Sequence, residues 1–195
     1  MFHSLLQRLL ELSKGARHDS RGSRWLLGLA DLAFVDHAYL SSLQFYLEVL
    51  LFLADIFALF LPPVVRAIQF FLMLMLDQIT RMIAACKEIG AQLQAAILCQ
   101  CLPDPDYESA FQILQANPLI VDQDAALYFD CVWEIPILEL LVHMHAKAGD
   151  RARVNTLISL LQQPALNVHN PASIRQAHIA AMEQRFLQRL YAELV

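Results

Sequence analysis

The sequence predicts an all-α fold made of antiparallel helical hairpins stacked as an α-solenoid. Three observations lead there. Leu, Ala and Gln are abundant and only 5 of 195 residues are Gly, a mix that favours helix because straight-chain side chains lose little rotamer freedom there. Apolar residues recur at i, i+3, i+4 and i+7 in successive segments, the spacing of one buried helix face. The breaks between those segments are helix-stopping and helix-starting residues: a proline pair, Gly-Asp and Asn-Pro.

Taken in order, residues 1–14 form a short amphipathic helix. Residues 15–24 (GARHDSRGSR) are polar and contain two Gly, which reads as a loop. Ser23 caps a helix from Arg24 to about Tyr39. A second long helix runs from about Ser42 to Leu61 and stops at Pro62-Pro63, and a third follows from Val64 to about Glu88 and ends at Gly90. The segment Ala91–Cys101 places Leu93, Ala96 and Ile97 on one face, and Pro103-Asp104-Pro105-Asp106 is a turn. Tyr107 to Gln115 forms the next helix, with Phe111 and Leu114 toward its partner, until Asn117-Pro118 stops it.

Residues 133–163 carry the clearest unit. Leu138, Leu141, Val142 and His145 define one helix face; Val154, Leu157, Ile158 and Leu161 define a second. Between them Gly149 can adopt the left-handed conformation that ends a helix, and Asp150 can cap the next one. Pro164 closes the unit. Its length and order resemble a tetratricopeptide-type repeat, with a period of about 34 residues. Residues 91–118 form a second hairpin of similar length. Asn170 then caps the final helix, with Pro171 at its first position. The apolar stripe of that helix, Phe186, Leu187, Leu190, Tyr191 and Leu194, is the candidate interface.

Composition adds a constraint. Hydrophobic residues make up 57% of the chain and charged residues 17%, against about 45–50% and about 25% in ordinary soluble domains. Part of this apolar surface must be covered by a membrane or by other protein. Val49–Leu76 is the most apolar stretch, with Asp55 and Arg66 its only charges. The proline pair splits it into arms shorter than the roughly 20 residues of a comfortable span. The net charge is −5, and no Lys or Arg occurs from Glu88 to Ala146. That acidic stretch repels phosphates, which argues against direct binding of DNA or RNA. It suits a basic protein partner or a solvated face.

No catalytic, cofactor-binding or metal-binding constellation is expected. Cys99-x-Cys101 and His143-x-His145 lie on helices, where i and i+2 point roughly 200° apart, and there is no C-x2-C pair. There is no G-x-S-x-G elbow, phosphate-binding Gly-rich loop or H-E-x-x-H. Asp104, Asp106 and Glu108 read as solvated caps, Trp133 as a core wedge, and His37, His169 and His178 as isolated. With no secretory signal in view, Cys86, Cys99, Cys101 and Cys131 read as reduced thiols of an intracellular protein.

The segments DQITRMIAACKEIGAQLQAAILCQCL (77–102), DYESAFQILQ (106–115), YFDCVWEIPILELLVHMHAKAGD (128–150) and LNVHNPASIRQAHIAAMEQRFLQRLYAELV (166–195) together resemble the C-terminal end of the Integrator complex subunit 8 family. The order of AILCQ, the W-acidic-x-x-ILE run, the K-x-G-acidic turn, the L-N-x-x-NP cap and the RFLQ-containing last helix carries the resemblance. Residues 25–65 match more loosely. Residues 66–76 read as an insertion, and residues 1–24 stand apart from the helical-repeat domain of 25–195, the tail of a longer solenoid.

The resemblance implies a non-catalytic scaffold without cofactors, nuclear and chromosome-associated. It implies a place among other Integrator subunits, with protein phosphatase 2A reached through the larger assembly. The family's roles are small nuclear RNA 3′-end processing and attenuation of transcription by RNA polymerase II. Two alternatives stay open on the residues alone: a small helical membrane protein using residues 45–76, and a generic tetratricopeptide-like peptide-binding module.

Overall fold

The computed structural model describes residues 20–59, 65–116, 123–167 and 169–194. The expected helix at 1–14, the Pro62-Pro63 break and the Asn117-Pro118 stop lie outside them. Every regular element among the described residues is helical: α1 (Ser20–Val35), α2 (Tyr39–Leu59), α3 (Val65–Glu88), α4 (Gln92–Gln100), α5 (Tyr107–Ala116), a 3-10 run (Gln123–Cys131), α6 (Ile135–Lys147), α7 (Arg151–Leu161), a 3-10 turn (Pro164–Leu166) and α8 (Ala172–Leu194). None is long and apolar enough to cross a membrane. The described residues up to Ile89, together with the chain end from Tyr191, form one compact unit; Gly90–Leu190 form a second.

In the first unit, α1 and α2 make a tight antiparallel hairpin. Ala30 and Ala33 are fully buried, so the helices approach closely, and the buried Ser42 hydroxyl donates to the Ala30 carbonyl at 2.9 Å. The turn differs from the expected one. The helix begins at Ser20, so Ser23 lies inside it rather than capping it, and it ends at Val35 rather than near Tyr39. The amide of Ala38 donates to the Ala33 carbonyl and that of His37 to Phe34. This is the paired bonding of a Schellman ending, with His37 at φ 58° in the position usually given to Gly. The His37 ring bonds the Tyr39 hydroxyl at 2.7 Å.

Helix α3 is continuous through residues 66–76, the expected insertion. Its later half supplies Ile79, Met82, Ala85 and Cys86 to the core. One polar cluster ties all three helices: Asp31 of α1 accepts from the Tyr46 hydroxyl of α2 at 2.5 Å and from Arg81 of α3. Burial, then the neighbouring Asp31, pushes the Tyr46 hydroxyl up to about 12.

The second unit repeats the hairpin scheme with α4/α5 and α6/α7. Helix α4 is buried on nearly every side, not only on the Leu93, Ala96 and Ile97 face. In α5, Ala110, Ile113 and Leu114 are buried, whereas Phe111 is half-buried beside Tyr107. The carboxylate of Asp106 accepts the Ser109 amide at 2.9 Å, a helix cap. In α6, Ile137, Leu138, Leu141 and His145 face inward and Val142 is half-buried. In α7 only Leu157 is buried; Val154 and Leu161 are half-buried and Ile158 is exposed. The α6/α7 turn is again a Schellman ending: Asp150 donates to His145 O, Gly149 to Ala146 O, and Gly149 sits at φ +79°.

Between the two hairpins runs a segment the periodicity did not mark as an element. In the 3-10 run and just beyond it, Tyr128, Phe129, Cys131, Val132 and Trp133 are all buried. Gln100, buried at the end of α4, holds this segment. Its Nε2 donates to the Cys131 carbonyl at 2.8 Å, and its Oε1 accepts from the amides of Trp133 at 3.1 Å and Glu134 at 3.3 Å. The Tyr107 hydroxyl adds a 2.6 Å bond to Glu134.

Replacing Gln100 by Met keeps the volume but orphans these backbone groups. A buried unsatisfied group costs about 1–3 kcal/mol, so Gln100→Met should lower stability by about 3 kcal/mol, read as a lower urea midpoint at unchanged slope. A second prediction concerns His145. Its Nδ1 is buried without a hydrogen bond, 4.0 Å from Asp150 Oδ2, and its ring meets Phe129 edge-on. Burial, and then the Arg153 cation, hold its pKa below the ordinary value, with Asp150 opposing. The unfolded chain therefore binds this proton more readily, and the contribution is present above about pH 6.5 and lost as pH falls through the folded value. Urea midpoints from pH 7.5 to 5 should fall further in the native chain than in His145→Leu.

Candidate interaction surfaces

With no catalytic constellation predicted, the functional question is which surfaces this chain offers. The last helix was the expected one. The carbonyl of Pro171 accepts from Ile174 and Arg175, so Pro171 flanks α8 and Ala172 is its first residue. The Asn170 side-chain nitrogen turns back and donates to the Pro164 carbonyl at 2.7 Å, fixing the preceding 3-10 turn. Asp150 does act at a helix start: its Oδ1 accepts the Arg153 amide at 3.1 Å.

The stripe on α8 divides in two. Phe186 and Leu190 are buried, with Met182, inside this chain. Phe186 meets Tyr128 of the 3-10 run edge-on, with ring centroids 5.8 Å apart. These two residues are therefore corrected from candidate interface to core: the apolar periodicity was real, but the chain itself supplies the cover. Leu187, Tyr191 and Leu194 are half-buried, and Gln44 donates to the Leu194 carbonyl.

The polar face of α8 is also engaged. Arg189 reaches Asp130 Oδ1 at 2.7 Å and donates to the Leu127 carbonyl; Arg185 reaches Asp130 Oδ2 at 3.2 Å. Burial alone would raise the Asp130 pKa, but the two guanidiniums outweigh it and hold the carboxyl below the usual range. Both arginines and Asp130 are part-exposed, so screening by water limits what this cluster adds to stability. Its main effect is to fix the rotation of α8 against the 3-10 run.

The surface that sequence reasoning missed lies on α1. Trp25, Leu32 and Val35 are 66%, 49% and 76% exposed. With the exposed Gly28 they fall at i, i+3, i+7 and i+10, one strip beside the buried Leu26, Leu29 and Ala33. The signal was present in the spacing, but within an apolar helix it is indistinguishable from a core face.

Three of the thiols are held in their protonated form. Burial pushes Cys86 up to about 12 and Cys131 up to about 11, and it raises Cys101 well above its ordinary value. They stay protonated at neutral pH. Among the described residues no group of three His, Cys, Asp or Glu side chains is placed to hold a metal ion.

The core assignment of Phe186 makes a direct prediction. Truncating a buried Phe to Ala typically costs about 3–5 kcal/mol. Phe186→Ala should destabilise the isolated chain on that scale in a thermal melt, whereas an interface residue would leave the melt unchanged.

Comparison with known proteins places this architecture. The family described as "INTS8, TPR repeats" matches residues 2–193, a range that takes in most of residues 1–24, which the sequence reading set apart. Integrator complex subunit 8 of Xenopus laevis is 32% identical over 172 residues, covering 88% of this chain and 16% of that protein. The Homo sapiens protein of the same name is 32% identical over 166 residues, covering 85% of this chain and 16% of that protein. An Integrator complex subunit 8-like protein of Dictyostelium discoideum is 25% identical over 100 residues, about half of each chain. The chain thus spans about one-sixth of the length of the animal relatives it matches. Stacked helical hairpins and these matches agree: the chain belongs to the tetratricopeptide-repeat family of Integrator subunit 8.

Proposed function

We propose that this chain is a non-catalytic scaffold section of the nuclear Integrator complex. It supports the phosphatase module of that complex in small nuclear RNA 3′-end processing and in attenuation of transcription by RNA polymerase II. Its direct partners are other Integrator subunits; protein phosphatase 2A is reached through the larger assembly, and the chain acts on chromosomes without contacting nucleic acid itself. The observation that carries this reading is family membership over residues 2–193.

Two features of the chain support it. The apolar fraction of 57% exceeds the roughly 45–50% of ordinary soluble domains, as suits a repeat array whose neighbours cover it. The stretch from Glu88 to Ala146 has no Lys or Arg, which disfavours phosphate backbones and favours protein contacts.

The reading predicts that the tagged full chain, expressed in cells and purified from nuclear extract, brings down other Integrator subunits, and that nuclease treatment leaves the recovery unchanged. Recovery of the tagged chain from nuclear extract with no other Integrator subunit would contradict it. Nuclease-sensitive recovery would replace the protein contact with a nucleic-acid one.

A further inference from the structure

We draw no further inference here: the strongest candidate, the surface patch of Trp25, Leu32 and Val35 along the exposed side of α1, is an apolar helix face, and nothing in the structure shows what covers it.

Discussion

The carboxamide of Gln100 satisfies three backbone groups that no helix can reach. The carbonyl of Cys131 and the amides of Trp133 and Glu134 belong to the passage between a 3-10 run and α6, where helical bonding has ended or not yet begun. They lie beside Cys131, Val132 and Trp133, all buried. The bonds of Cys131 and Trp133 are buried, and each would cost about 1–3 kcal/mol if left unmade. One side chain at the end of α4 therefore allows an irregular segment to run through the interior. Because that segment also receives Phe186 and carries Asp130, the position of α8 depends on the same interaction at one remove.

The first unit shows a related solution at its edge. Asp31, Tyr46 and Arg81 come from three successive helices and converge in one hydrogen-bonded cluster. In both units the apolar faces provide most of the cohesion, being non-directional, while a few polar side chains determine which neighbour sits where. The proposed scaffold role would use that division to present surfaces at fixed positions. The perturbed tyrosines and cysteines fit this picture, since burial and hydrogen bonding within the core explain their shifts.

The helical class, the hairpins α4/α5 and α6/α7, and the turn at Gly149 were legible in the sequence because each rests on local rules. Periodicity marks the faces, and Gly-Asp marks the turn. The α1/α2 turn was misplaced because His37 takes the left-handed position with no glycine to announce it. The 3-10 run was invisible because three residues per turn leave no 3.6 period, and its burial depends on a partner 31 residues away. The stripe on α8 was read correctly as apolar and wrongly, at Phe186 and Leu190, as an outward surface. Periodicity reports that a face is covered and does not say by what. The converse error hid Trp25, Leu32 and Val35, an exposed strip with the spacing of a core. Family resemblance was legible because it rested on the order of several motifs, each of them weak alone.

If Gln100 holds the second unit together, the amides it accepts should open only when the unit unfolds. Native-state hydrogen exchange at Trp133 and Glu134 measures this most directly. The account predicts that both amides exchange with the same opening free energy and denaturant dependence as the central amides of α4 and α6. Rapid exchange at Trp133 and Glu134 while α4 and α6 remain protected would contradict it, showing that the segment opens locally and that the hairpins hold without it.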